Sequence, residues 1–533
     1  MECQNERVPD VLVVGAGAAG CALAARLSED PGIRVLLLEA GPARPAGRPD
    51  LLDARLVPGA RPDSPAVAWF PVALTASRPW SVPRGRALGG STAVNGGYFV
   101  RARRADFDRW SAAGNPAWAY PSVLPLLRGL EHDQDLGPSP LHGGHGPMTV
   151  RRTDLDAHPS SAAFRDAALA AGHPPDPDKN DPEAPPGIGP VPTNTADGVR
   201  RDAALSYLTP EVLSRPNLTV LTGHRVVRVL VAHGIARGVE VRRQSTGAGP
   251  RSGGLRIPAG EVVLSAGALA TPHLLQLSGI GPREVLEPLG IPVLLHSPAV
   301  GARLADHPQL VLPGPPAPAG CPPPAAGWLG GCLHLAAPDG EVELLQSLLP
   351  MDALMSGRVP PGGSGPLPYL LSASAAIPPS GGLAAVSADP DVPPRVRYGY
   401  LAHPRQRRLL RYGVRAAAEV LGKLGPPPAP APNAPGPNAQ APGTPGPEVL
   451  ADDGLLDRWI AAHLSTAQHT CGTVPIGPAV DQYGRVHGLR GLRVADTSIL
   501  PDVPARGPAA TAVLIGELIA EAIRAGTRSA PGT

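Results

Sequence analysis

The hydrophobic pattern is most regular at the N-terminus. Val11 to Val14 is a short apolar run that turns into Gly15-x-Gly17-x-x-Gly20, and a stretch of small residues follows. A second apolar run starts at Val35 and ends on Glu39. The spacing predicts a strand, a helix and a second strand. Each position has a physical job. Gly15 permits a tight turn, and Gly17 lets a pyrophosphate approach the backbone of Ala18 and Ala19 at the helix N-terminus. Gly20 allows the helix to lie close on the sheet. Glu39, followed by Ala40, can accept hydrogen bonds from a ribose. The unit reads as a dinucleotide site and does not by itself separate FAD from NAD.

Further along, strands are expected around 225–231, 237–241, 261–265 and 492–495. They join the strands at 11–14 and 34–39 in one sheet, which a helix over 510–523 closes. Segments 341–349 and 393–400 read as strands and 405–424 as an amphipathic helix. The chain holds 64 glycines and 71 prolines among 533 residues, a proportion at which disorder becomes a live reading. The excess concentrates at 313–327 and at 425–447. The second segment reads as a flexible surface insertion, with a Pro-rich docking motif as the sharper alternative. The apolar spacing alone supports a mixed α/β fold.

Three more blocks narrow the cofactor. Gly85-Arg86-Ala87-Leu88-Gly89-Gly90-Ser91-Thr92-Ala93-Val94-Asn95 continues through Phe99 and Ala102 to Asp108. Residues 267–281 read GALATPHLLQLSGIG, and a C-terminal run holds Gln468-His469-Thr470-Cys471-Gly472-Thr473 and Arg493-Val494-Ala495-Asp496-Thr497-Ser498. With the N-terminal unit, these resemble the landmarks of the GMC (glucose–methanol–choline) oxidoreductases, in family order. The resemblance implies an α/β fold: a discontinuous Rossmann-like FAD-binding domain and an α+β substrate domain built on an antiparallel sheet. The FAD-binding parts would be 1–150, 201–304 and 456–533. The substrate domain would take 151–200 and 305–455, including the insertion.

The resemblance also assigns roles. Arg86, Gly89, Gly90 and Ser91 would run along the pyrophosphate and flavin, with Asn95 positioned nearby unless it simply caps a turn. Val226 lies on a strand whose backbone bonds the adenine in family members. Asp496 would lie near the ribityl portion of FAD, a helix cap being its plainer reading. His469 is the candidate catalytic base, because an alcohol releases hydride only as its hydroxyl proton leaves. Cys471 reads as a packing residue. His142, His145, His307 and His463 carry no comparable context. A second His or Asn normally follows the catalytic His by about 40 residues, and an ungapped alignment puts Ala509 there, a residue that cannot donate or accept a hydrogen bond. Either His469 works alone or another group, such as Arg506 or a substrate-domain residue, replaces the partner. Val94 stands where some relatives attach the flavin covalently, so the FAD is expected to be non-covalent. No metal site is expected.

Within the family, segment 95–102 and Arg506-Gly507-Pro508 look like the mycofactocin-associated dehydrogenases. That likeness implies mycofactocinol, the reduced peptide-derived redox cofactor, or a linked alcohol as substrate. Electrons would then pass to an acceptor other than oxygen, with the respiratory chain as one candidate. Two other classes remain: a lyase such as hydroxynitrile lyase with a redox-silent flavin, and an inactive flavoprotein. A net charge of +2 gives no reason to expect nucleic acid. Lys179 and Lys423 are the only lysines beside many arginines, a bias of composition rather than a binding patch. The five cysteines have no metal or disulfide spacing. No leader pattern opens the chain, and no apolar run nears the roughly 18–20 residues that span a bilayer. A cytoplasmic protein is expected, with peripheral membrane contact left open.

Overall fold

The computed structural model describes residues 8–42, 49–243, 254–359, 365–375, 377–425 and 443–529. Five parallel strands form the first sheet, in the spatial order Leu218–Leu221, Val35–Leu38, Val11–Val14, Glu261–Leu264, Leu492–Val494. Val13 sits between Leu37 and Val263 in register. Every residue of Val11–Val14 and Val35–Leu38 is buried, which is why both read as unbroken apolar runs rather than alternations. The helices Ala18–Leu27 and Ala509–Ser529 pack against each other in the same core.

The strands expected at 225–231 and 237–241 form, but not in this sheet. They are His224–Ala232 and Ile235–Arg243, an antiparallel pair extended by Leu255–Pro258. The turn between them is His233-Gly234, with both residues at positive φ, 52° and 70°. Such a two-residue turn joins antiparallel neighbours, whereas parallel strands need a long crossover. The vacant edge of the parallel sheet goes to Leu218–Leu221, which follows a crossover from the second strand. The strand expected at 393–400 shrinks to Arg395–Arg397, since Pro393 and Pro394 have no N–H to give a ladder.

A second, six-stranded sheet is antiparallel throughout. Its order is Ser465–Thr466, Pro308–Pro316, Pro366–Ala375, Gly340–Ser347, Leu329–Ala337, Ile188–Pro190. Side chains alternate across it. Leu333, Leu335, Val342, Leu344 and Leu371 share a core with the helices Pro159–Ala170 and Pro404–Gly422. Cys332, His334, Glu341, Glu343 and Ser372 fall on the other face. A third sheet pairs Val67–Thr75 with Arg78–Gly85 and with Arg395–Arg397. The Gly/Pro-rich 313–327 begins as the end of the strand Pro308–Pro316, and 426–442 of the expected insertion lie outside the described residues. Among the described residues no helix is long and apolar enough to cross a membrane.

One buried charge cluster ties the segment 131–152 to 178. His142 Nδ1 lies 3.0 Å from Asp133 and 3.2 Å from Glu131, and its Nε2 lies 2.9 Å from Asp178. Arg152 bonds Asp133 and Asp178 at 2.8 and 2.7 Å, and Arg101 bonds Glu131. An imidazole facing carboxylates at both nitrogens is satisfied only when doubly protonated. Three cations then balance three carboxylates. Glu131, Asp133 and His142 hold donor atoms close enough for a metal, but the two arginines already supply the compensating charge.

Burial opposes the charge on His142, yet its bonds to Asp133, Asp178 and Glu131 outweigh burial and hold its pKa up at about 10. Burial likewise works against Asp178, but His142 and Arg152 pull it down to about 2. His142 titrates near 6.5 when unfolded. Its contribution is therefore complete below that pH and is lost as pH rises through about 10, while that of Asp178 is lost only as pH falls through about 2. His142→Gln should cost about 3–5 kcal/mol of stability near pH 6, the scale for breaking a buried ion cluster. The gap between the denaturant midpoints of wild type and variant should narrow between pH 6.5 and 10, and a constant gap would contradict the assignment.

Candidate active site

The N-terminal turn is built around Gly15, whose φ is +101° and where a Cβ would stand 2.5 Å from the Ser265 carbonyl oxygen. The turn delivers the helix Ala18–Leu27 with Gly17 at its N-cap and no side-chain cap. Its first backbone N–H groups, those of Ala18 and Ala19 among them, are left for an anion. The second motif docks directly on this turn. Gly89 N–H donates to the Ala16 carbonyl at 2.9 Å, and a Cβ on Gly90 would lie 2.7 Å from Gly17 Cα. Two segments that are remote in sequence thus form one cradle of bare backbone.

The remaining candidates are placed around it. Glu39, 6% exposed, accepts N–H bonds from Ala16 at 2.9 Å and Gly41 at 2.7 Å. Burial raises its pKa, against the pull of those amides. Beyond Ala40, the Gly41 carbonyl receives the Gly223 N–H, and the Glu39 carbonyl receives that of His224. These bonds set the strand that carries Val226 beside the acid. Arg86 bonds the Ala66 carbonyl through its backbone, and its charge acts on Glu39. Ser91 Oγ accepts from Gly85 N–H at 3.2 Å. Asn95 Oδ1 accepts from Gly97 N–H at 3.0 Å and from Arg200 at 3.2 Å. Asp496 accepts from Gly267 N–H, the Thr271 hydroxyl and Ser498 N–H at 2.8, 2.6 and 2.9 Å. Asn95 and Asp496 thus shape the loops around the cradle, and their direct bonds go to protein groups.

His469 stands at the other end. Gln468, at φ 65°, turns the chain sharply before it, a strained conformation of the kind held at functional sites. The His469 N–H donates to Asp306 Oδ1 at 2.7 Å, and the same oxygen takes the His307 N–H at 2.8 Å. Asp306 Oδ2 accepts from the Thr466 hydroxyl at 2.8 Å. Burial lifts Asp306 to about 6. The two imidazoles meet edge-on, with Nδ1 to Nδ1 at 2.9 Å. A cavity of about 250 Å³ is walled by Asp306, His307, Tyr398, Tyr400, Glu341 and Arg103.

Gly507 lies beside His469 Nε2, and a Cβ on it would stand 3.4 Å from that nitrogen. Ala509, where the ungapped alignment puts the second His or Asn, is the first residue of the last helix. Neither Gly507 nor Ala509 offers a polar side-chain group. Arg506, 1% exposed, is turned toward Glu341 at 3.2 Å and the Lys179 carbonyl. Asp306 and His307 escaped sequence reasoning. The Asp306-His307-Pro308 run was the only sign, a carboxylate and an imidazole leading into a strand. Cys471 is fully buried, and its thiol donates to the His469 carbonyl at 3.1 Å.

On the sheet face above, Cys332, His334 and Glu343 bring donor atoms within 4.8 Å of one another. The charges of Arg506, Lys179 and Arg103, after burial itself, all depress protonation of His334. The same field repels a bound cation. His334 Nδ1 also has no acceptor to orient it, as metal-bound imidazoles almost always do. The group is a hydrogen-bonded network. The cradle itself gives a test: Gly90→Val should leave a folded protein stripped of flavin, read as the ratio of flavin to protein absorbance. A variant as yellow as wild type would show that the cofactor lies elsewhere.

Known proteins match along the length of the chain. The GMC oxidoreductase N-terminal family model covers residues 9–309 and the C-terminal model residues 378–516. An uncharacterized GMC-type oxidoreductase of Rhodococcus erythropolis is 38% identical, over 95% of this chain and 97% of that protein. A 5-(hydroxymethyl)furfural oxidase of a Methylovorus strain is 34% identical, over 97% and 99%. The crystal structure of pyridoxine 4-oxidase from Mesorbium loti superposes with a TM-score of 0.82 at 29% identity, over 97% and 99%. The chain belongs to the GMC oxidoreductases, enzymes that act on CH–OH donors, and its cofactor is FAD.

Proposed function

We propose that this protein oxidises an alcohol with His469 Nε2 as the base for the hydroxyl proton, and that its electrons leave to an acceptor other than oxygen. FAD, when bound, supplies the hydride acceptor. The observation that carries the reading is the setting of His469. Its backbone is pinned by Asp306, its Nδ1 is engaged by His307, and its Nε2 faces the space beside Gly507. Burial, then the His307 and Arg84 neighbours, push its pKa well below the ordinary value. At neutral pH the ring is therefore uncharged and ready to accept a proton.

Gly507 supports the choice of acceptor. Reduction of oxygen passes through a charged product, and a fixed donor or cation near it is usually a large stabilising effect. At this position the chain offers no side chain, and Arg506 is turned toward Glu341 and the Lys179 carbonyl. The names of the 5-(hydroxymethyl)furfural and pyridoxine oxidases pull the other way, so the acceptor is decided by rates. The finer reading, mycofactocinol or a linked alcohol as substrate with the respiratory chain as electron sink, is supported by segment 95–102 and Arg506-Gly507-Pro508.

His469→Ala should keep its FAD and slow anaerobic flavin reduction by roughly 10²–10⁴-fold, the usual worth of a positioned general base. 5-(Hydroxymethyl)furfural and pyridoxine are the first alcohols to mix. Bleaching at the wild-type rate would remove His469 from the role. In steady state, a quinone or dye should support turnover far better than air. Hydrogen peroxide formed as fast as the dye is reduced would identify an oxidase instead.

A further inference from the structure

The contact between His307 and His469 has a direction. Two imidazole nitrogens 2.9 Å apart share a single proton, one donating and the other accepting. If His469 donates from Nδ1, its Nε2 is bare and can act as a base. If His307 donates, the proton of a neutral His469 sits on Nε2 and the site holds no base.

The far side of His307 selects between them. Its Nε2 is buried and has no hydrogen-bond partner among the described residues; with Nδ1 taken by His469, it is the nitrogen left to the Pro504 backbone, which favours the ring's protonated form. A proline has a carbonyl and no N–H, so the ring nitrogen turned to it carries a proton. A bare Nε2 would set lone pair against lone pair in a dry site. With Nε2 protonated, a neutral His307 keeps its lone pair at Nδ1 and can only accept from His469. Burial, which pushes His307 down to about 4, keeps it neutral. Asp306 does not compete, because its oxygens bond two backbone N–H groups and the Thr466 hydroxyl.

We propose that His307 is a positioning residue that locks His469 in the Nδ1–H tautomer, so that Nε2 is free to take the alcohol proton. The inference rests on the reading of His469 as the base. During the transfer one proton moves from the alcohol oxygen to His469 Nε2. The proton on Nδ1 stays where it is, and His307 remains neutral. An imidazole thereby does the orienting that a carboxylate does in a Ser-His-Asp triad.

The test uses holoenzyme labelled with ¹⁵N-histidine, with His469 assigned as the signals that His469→Ala removes. Wild type should show a protonated Nδ1 and a bare Nε2. His307→Asn places an amide oxygen near the lost Nδ1 and should keep that pattern, whereas His307→Leu should move the proton toward Nε2. In rapid anaerobic mixing with 5-(hydroxymethyl)furfural, His307→Leu should reduce its flavin roughly 10–10²-fold more slowly, the worth of a hydrogen bond to a charged group. Its apparent substrate affinity should be unchanged, and His307→Asn should recover most of the rate. A wild-type His469 protonated at Nε2, or a His307→Leu variant with unaltered tautomer and rate, would overturn the proposal. If His469→Ala alone is slow, only the His307 assignment falls; if His469→Ala is as fast as wild type, the base itself was misassigned.

Discussion

The Asp306 carboxylate holds together two pieces of chain 163 residues apart. One oxygen takes the backbone N–H groups of His307 and His469, and the other takes Thr466. Because the acceptor bonds main chain rather than rings, it fixes where both histidines start without dictating which nitrogen carries a proton. The left-handed turn at Gln468 and the pairing of Pro308 with Thr466 follow from the same junction. A buried carboxylate is costly unless its oxygens are satisfied, and here three donors meet it.

The nucleotide half was legible because its physics is local. A tight turn, a helix start and a close backbone approach each demand glycine at a set spacing, so Gly15, Gly17 and Gly90 announce themselves in one dimension. The parallel sheet was harder. Val226 and its neighbours looked like its next strands, but a two-residue turn at His233-Gly234 made them a separate antiparallel pair. Leu218–Leu221 was overlooked as a short run next to a polar segment. His469 stood out in the sequence by its context, and its contact with His307 did not. That contact comes only from long-range folding, which sets His307 against a residue far along the chain.

Charge is handled differently in the two buried regions. Around His142, cations and carboxylates interleave until the sum is near neutral, and the imidazole is held protonated. Around His469, burial and nearby positive charge act together, and the imidazole is held neutral. The same side chain is a structural cation in one place and a free base in the other, and only its neighbours differ.

Gly507 lies outside the left-handed region that many glycines of this chain occupy, so its backbone would accept a side chain. The smallest one would come to rest against His469 Nε2 in van der Waals contact. On this side of the ring, the space beside Nε2 is therefore set by a missing side chain. Any residue added there would fill that space and at the same time supply His469 with a new neighbour. Room for a bulky carbinol and a second polar group compete for the same few cubic ångströms, and a descendant of this chain could exchange one for the other in a single codon.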